Sequence, residues 1–348
     1  MDISKYRNIF AELPNRKILV LGDYFLDRYL DIDASLDEPS IETGLTAYQV
    51  VGTRLSPGAA GTVANNLVAL GVGEVVALGV GGEDGHGLEL RQALAAKGID
   101  FSNMIWDKAR ITPTYTKPMR GSNGTAKELN RLDFHNRDEL PTFLEDELIS
   151  RLWNLAKEVD GIHVMDQVEQ EGCGVVTPRV REALAEIGNR LPDLPIIADS
   201  RAYTGEFRGI SVKINILEAA TAVGMQDEPH NEDLAAKAGT ILAKRLGRPV
   251  YVTMAEKGIM VTEVGESTLA THIPAVPISG PIDPVGAGDS TSAGVISALS
   301  TGASPIEAAI MGNIIASITI QQLGTTGTAS PEGVLQRLAG IKLQICKY

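Results

Sequence analysis

The chain has 348 residues, 44% of them hydrophobic and 22% charged, and a formal net charge of −13. It is long enough to bury a substantial core, as two average domains or one large α/β domain. The excess of carboxylates argues against a nucleic-acid partner, which needs a basic face, and it obliges any site for an anionic substrate to reverse the charge locally. Cys173 and Cys346 are the only cysteines, too few for a disulfide framework or a cysteine zinc site. The most apolar stretch, Ala308 to Ile320, is interrupted by Asn313, Ser317 and Thr319, so no membrane span is expected. Met1 to Arg7 lacks a basic region followed by an apolar one, so no export signal is visible and a cytoplasmic enzyme is the simplest expectation.

Lys17–Gly22 predicts a buried strand ending in a turn. Thr62–Leu70 has helical spacing, Val75–Val80 reads as a second strand, and Leu88–Lys97 predicts a helix stopped by Gly98. Further strands are expected at Gly161–Met165, Pro195–Ala198, Val212–Ile216 and Pro249–Thr253. Helical patterns lie between them at Pro141–Val159, Pro178–Arg190 and Asn231–Leu246. Apolar strands alternating with helices imply a mostly parallel central sheet with helices on both faces. Residues 28–56 and 108–133 break this rhythm. They are rich in Thr, Tyr and Val, carry the turn signal Gly121-Ser122-Asn123-Gly124, and predict short exposed strands that on pattern alone are surface hairpins.

Four stretches carry candidate chemistry. Gly22 to Arg28 sets Asp23 and Asp27 just past the first strand, where α/β sheets bind ligands. Two carboxylates there suit sugar hydroxyls, although capping a helix or pairing with Arg28 are ordinary uses. Pro57 to Gly71 is a helix start rich in small residues, including Gly58, Ala59 and Thr62, over which backbone can approach a ligand. Leu78 to Gly85 invites a dinucleotide reading that fails, because Asp84 stands where the third glycine is required. In Ile282-Asp283-Pro284-Val285-Gly286-Ala287-Gly288-Asp289, two glycines precede a small-residue helix whose first amides form an anion hole beside the Asp289 carboxylate. An ordinary helix entry with Asp289 as its cap accounts for the same pattern.

That last segment resembles the D-T-x-G-A-G-D signature of the PfkB (ribokinase-like) carbohydrate kinases. Asp283, Gly286, Ala287, Gly288 and Asp289 match, and Pro284 replaces Thr. Pro57 to Gly71 resembles the N-terminal signature P-G-G-A-A-N-V-A-x-N-I-A-x-L-G of its heptose-kinase branch, departing at Ala59 and Thr62. Gly22 to Arg28 is similar to that branch's G-D-x-x-L-D-R. Gly81, Asp84 and Gly87 match a largely structural G-x-x-G-x-D-x-x-G element. Thr112 to Lys117 and Arg131 to Phe134 resemble its T-x-T-K-x-R lid strand and R-x-D-F. Asn215 to Glu218 matches N-x-x-E, Thr253 to Gly258 is similar to the V-T-x-G-x-x-G nucleotide segment with Glu256 and Lys257 off-pattern, and Leu323 to Thr328 resembles the ending L-G-T-x-x-V-S-P.

The resemblance implies one ribokinase-like three-layer α/β/α domain over 1–348, with lid segments about 28–56 and 108–133 that often pair between subunits as a homodimer. It implies transfer of the γ-phosphoryl of ATP to a sugar or sugar phosphate, with Asp289 as base and the Gly286–Asp289 amides as anion hole. Asp23 and Asp27 would hold the sugar beside Gly58, Ala59 and Thr62, while Lys117, Arg120 and Arg131 would meet a substrate phosphate. Asn215 and Glu218 would arrange Mg²⁺, Glu218 through water. Thr253, Glu256, Gly258, Asp283 and Asn313 would serve the nucleotide, and a monovalent cation is compatible with the family. In bifunctional relatives a nucleotidyltransferase domain follows the kinase, and only the kinase half is expected here. A kinase for a hexose, nucleoside or vitamin alcohol stays open because Ala59 and Thr62 depart from the pattern. A non-catalytic binding descendant also stays open, although it would not need Asp289, and a dinucleotide oxidoreductase is disfavoured by the failed fingerprint.

Overall fold

The structure, a computed structural model, describes residues 2–121, 126–265, 268–341 and 345–348. A strand such as Lys17–Gly22 is apolar on both faces and must be covered on both. Ile18 and Val20 enter one core and Leu19 and Leu21 the other, as the alternation of a strand requires. One core is closed by helices that include Ile3–Glu12, Ala60–Ala69, Ala287–Ser300, Pro305–Thr319 and Pro331–Ala339. The other is closed by Thr142–Leu155, Pro178–Arg190 and Glu232–Leu246. The result is the expected three-layer α/β/α arrangement around a nine-stranded sheet.

Lys17–Gly22 runs parallel to Glu74–Leu78 on one side and to Gly161–Asp166 on the other. Ile196–Ser200, Ser211–Asn215 and Val250–Thr253 follow, all parallel. The sheet then continues antiparallel through Ile259–Glu263, Leu269–Ile273 and Cys346–Lys347, an edge that the sequence pattern did not predict. Among the described residues no helix is long and apolar enough to cross a membrane.

The two stretches that broke the rhythm belong to a separate five-stranded sheet. Tyr24–Ile32 pairs antiparallel with Val50–Ala59 and parallel with Thr114–Arg120, which also carries Lys127–Glu128 and Leu132–Phe134. This lid sheet therefore begins at Tyr24, earlier than expected, so Asp27 sits on a lid strand and not in a loop. The predicted turn at Ser122 to Gly124 lies outside the described residues. Gly22, at φ 144°, is where the chain leaves one sheet for the other. A Cβ there would lie 2.0 Å from the Met165 carbonyl oxygen, so only glycine can make the exit.

Ala59 ends the lid strand Val50–Ala59 and is the N-cap of Ala60–Ala69, at φ 51° and ψ −114°. An alanine in this glycine region stores about 1–3 kcal/mol of strain. Ala59→Gly should raise the stability by about 1 kcal/mol, since the greater freedom of glycine in the unfolded chain offsets only about 0.5–1 kcal/mol of the relief. The urea midpoint should rise, and an unchanged or lower midpoint contradicts the strain.

Candidate active site

Helix Ala287–Ser300 begins at Gly286, left-handed at φ 78°, with no side-chain cap. The Ala287 N–H is taken by the Pro284 carbonyl at 3.1 Å and the Ser290 N–H by the Gly286 carbonyl at 2.9 Å. The N–H groups of Gly288 and Asp289 have no partner among the described residues. By contrast, helices Gly85–Ala96, Pro178–Arg190, Glu232–Leu246, Pro305–Thr319 and Pro331–Ala339 each have an early amide held by a side chain. Two open amides at the positive end of a helix dipole form an anion hole.

Beneath this turn lies a buried ion pair. Lys213 and Asp199 are register partners on adjacent parallel strands, with Nζ to Oδ2 at 2.5 Å. Ser292 Oγ, on the helix above, donates to the same Asp199 oxygen at 3.2 Å. Burial, with Lys213 alongside and Asp199 opposing, pushes the pKa of the neighbouring His163 down to about 4, and its ring nitrogens have no hydrogen-bond partner among the described residues. A Cβ on Gly288 would come 3.0 Å from Lys213 Nζ, which explains why the second glycine of the turn is small.

Burial first, then the Asp199 carboxylate, pushes the Asp289 pKa up to about 7. Lys213 and Arg201 pull it down and Asp27 adds to the rise. Asp27, on the lid, thus lies within electrostatic reach of Asp289 on the helix. Asp27 is held by Lys117 at 2.6 Å, and Lys117 Nζ sits 4.8 Å from the centre of the Tyr29 ring. A Cβ on Gly58 would approach the other Asp27 oxygen to 2.7 Å, so the small residue leaves this carboxylate reachable.

On the opposite side, Asn215 and Glu218 form a capping box. Asn215 Oδ1 accepts from the Glu218 N–H at 2.9 Å, and Glu218 Oε2 accepts from the Asn215 N–H at 3.1 Å. The other Glu218 oxygen has no partner among the described residues. Burial raises the Glu218 pKa above its ordinary value. Asp283 ties the segments that flank the hole, accepting from Val285 N–H at 3.1 Å and from Gly324 N–H at 3.0 Å. Thr253 caps the end of its strand on the Ile214 carbonyl, and Asn313 is buried and donates to the Pro274 carbonyl at 2.7 Å. Gly258, at φ 97°, could carry no Cβ, which would lie 2.1 Å from the Ile273 carbonyl oxygen. Glu256 is exposed beside it.

Residues 18–332 match the family model of the pfkB carbohydrate kinases. The chain belongs to that family. It is an ATP-dependent carbohydrate kinase, and the kinase is 31% identical to the Bifunctional protein HldE of Geotalea uraniireducens over 97% of its own length. It is 30% identical to the protein of the same name from a Caulobacter species over 92% of its length. The chain spans 66% and 64% of those two relatives, just under two thirds of each. Among solved structures it is similar to Arabidopsis thaliana ribokinase complexed with ribose and ATP. The TM-score is 0.66 at 19% identity, covering 93% of this chain and 98% of that one. Phosphofructokinase-2 of Escherichia coli gives a TM-score of 0.68 at 17% identity, covering 93% and 99%. The fold is ribokinase-like.

Three expectations are corrected in this kinase. Asp23 is not a sugar acceptor. It is fully enclosed and spends both oxygens on the N–H groups of Gln167, Val168 and Val175, at 2.9, 3.2 and 2.8 Å, bracing the loops beside the first strand. Lys117, Arg120 and Arg131 are not a free cationic cluster. Arg120 binds Asp37, and Arg131 binds Asp133 at 2.6 and 2.7 Å while stacking on Tyr115. Arg120 lies three residues beyond Lys117 on one strand, so the pleat turns it to the other face of the lid. The Ala287 amide belongs to the turn and leaves the hole to its neighbours. The residues that sequence reasoning missed are Lys213, Asp199, His163 and Arg201. For His163 and Lys213 the available signal was a titratable side chain inside a strand expected to be covered on both faces, whereas Asp199 and Arg201 lie just past the expected strand Pro195–Ala198.

An Asp289 pKa near 7 has a direct kinetic consequence. If Asp289 must be ionised to act, kcat/KM should fall about tenfold per pH unit below about 7 and level off above it. The full pH profile measures this, and a profile flat from about pH 5 to pH 8 contradicts the assignment.

Proposed function

We propose that this kinase phosphorylates a hydroxyl of a heptose phosphate, with Asp289 as general base. The observation that carries the reading is an Asp289 carboxylate with a pKa raised to about 7, beside two helix amides without a partner among the described residues and within electrostatic reach of Asp27. The heptose assignment draws on the HldE relatives, which align over nearly the whole chain. In this reading the chain is one kinase domain, 1–348, with its lid over the sugar. Asp27 holds sugar hydroxyls, and Gly58, Ala59 and Thr62 lie along the ring. Thr253, Gly258, Asp283 and Asn313 shape the nucleotide side.

The acceptor hydroxyl gives its proton to Asp289 as its oxygen bonds to the γ-phosphorus, while the bond to the bridging oxygen breaks and its electron pair leaves on ADP. The Gly288 and Asp289 amides hold the phosphoryl oxygens through this change, in a place where the donors are already oriented. Among the described residues no three metal-ligating side chains come together. The spare oxygen of Glu218 suits a magnesium ion that keeps its waters and binds mainly to the nucleotide phosphates. Such an ion supplies charge neutralisation of those phosphates.

We read the lid as a dimer contact also. Ile41, Leu45, Val50, Val51 and Leu132 are exposed on its strands and connections. Large apolar groups left exposed on a lid suit an association surface, and a second lid is the partner of matching chemistry.

Three measurements test these readings. Asp289→Asn should lower kcat by about 10²–10⁴-fold with nucleotide affinity nearly unchanged, because Asn keeps the shape but cannot take the proton. Assays of ADP release across sugars and their phosphates should show heptose phosphates as the best acceptors. A variant that keeps most of its kcat removes Asp289 as base, and a best acceptor of another class removes the heptose reading. In light scattering the parent should be a dimer and Ile41→Asp/Val51→Asp a monomer. A monomeric parent, or a variant that stays dimeric, contradicts the lid contact.

A further inference from the structure

Arg201 is the first residue past strand Ile196–Ser200, and its backbone N–H is fixed by the Asp166 carbonyl at 3.1 Å. Its side chain is exposed and makes no hydrogen bond or ion pair among the described residues. The other site cations differ, because Lys117, Arg131 and Lys213 are each held by a carboxylate. Moving one of those would strip a partner from a charge in a partly dry site, at high cost. Arg201 can swing at the cost of side-chain entropy alone.

Its charge is nonetheless felt in three places. It lowers the pKa of Asp289 on the helix behind the hole, of Glu218 on the N-x-x-E helix, and of Tyr115 on the lid. The strand register gives the geometry: Asp199 pairs with Lys213, whose Nζ lies beside Gly288, so Arg201, two residues further on, leaves the sheet level with Asn215 at the edge that carries the anion hole. The charges around that edge are uneven. Lys117 offsets Asp27 and Lys213 offsets Asp199, while Glu218 and ionised Asp289 have no cation paired to them among the described residues. A phosphate chain adds further negative charge there. The planar fork of an arginine matches phosphoryl oxygens, and an unpaired one is free to follow them.

We propose that Arg201 is a catalytic residue that closes onto the γ-phosphoryl group during transfer. This deepens the reading of Asp289 as base and rests on it. As the phosphorus leaves the bridging oxygen for the acceptor oxygen, Arg201 donates hydrogen bonds to the equatorial oxygens. It exchanges no proton, since the hydroxyl proton goes to Asp289 and the electron pair of the broken bond to ADP.

The test uses the full chain, the exposed-site variants Arg201→Lys and Arg201→Gln, and two readouts. The first is the affinity for MgADP with and without aluminium fluoride, which mimics the phosphoryl group in flight. Arg201→Gln should bind MgADP like the parent but lose about 10²–10³-fold in affinity when fluoride completes the mimic, with Arg201→Lys between the two. The second is turnover of MgATP with a heptose phosphate. Here kcat should fall by a similar factor with both KM values nearly unchanged, and added guanidinium should restore part of the rate to Arg201→Gln. Equal weakening of MgADP alone would make Arg201 a nucleotide anchor and overturn the proposal. A raised acceptor KM with intact kcat overturns it too, and so does a variant indistinguishable from the parent. A parent that turns over no heptose phosphate defeats the acceptor reading, and the fluoride comparison still decides Arg201.

Discussion

The Lys213–Asp199 pair sits in the middle of the sheet, enclosed by strands and by the helix above, and an isolated charge in either position would be strongly unfavourable. Each partner therefore fixes the other, and together they fix what surrounds them. Asp199 also accepts from Ser292, which ties the base-carrying helix to the sheet one turn in from its open end. Lys213 Nζ lies close beneath Gly288, so a side chain there would crowd the ammonium. Its positive charge opposes the rise in the Asp289 pKa that burial and Asp199 cause. A base near neutrality is the balance of those influences. A purely apolar floor would leave the carboxyl protonated, and an unpaired lysine would hold it too weak to accept a proton.

The lid completes the site from the other side by a different device. Its strand from Tyr24 begins one residue after the first strand of the central sheet ends, so the position of Asp27 is set by the sheet itself. Asp23, between the two strands, brings three loop amides to one carboxylate and stiffens the junction. The lid charges are matched locally, Lys117 with Asp27, Arg131 with Asp133 and Arg120 with Asp37. A closing lid therefore brings little net charge toward the anionic substrate. That leaves charge compensation to the helix amides, to ions arriving with the nucleotide, and to the unpaired Arg201.

The parallel core of the fold was legible because its strands are short apolar runs spaced by amphipathic helices. The anion hole was legible because Gly286, Gly288 and Asp289 have few other reasons to stand in that order. Asp23 misled because a carboxylate after a strand looks the same in sequence whether it faces a ligand or three backbone amides. The lid cations misled because residue type does not show which face of a pleated strand a side chain takes. Lys213 and Asp199 went unread because their partnership depends on the register of two strands separated by a long loop. Ala59 was visible as a departure from glycine, but its left-handed backbone was not.

The central claim is geometric: phosphate at the Gly288 and Asp289 amides, acceptor hydroxyl at the Asp289 carboxylate. A crystal structure with a non-hydrolysable ATP analogue, magnesium and the best acceptor tests it most directly. The account predicts γ-phosphate oxygens within about 3 Å of those two amides, and one acceptor hydroxyl at similar distance from Asp289 and in line with the bridging oxygen. Phosphates seated elsewhere, or an acceptor whose hydroxyls all turn away from Asp289, would contradict it.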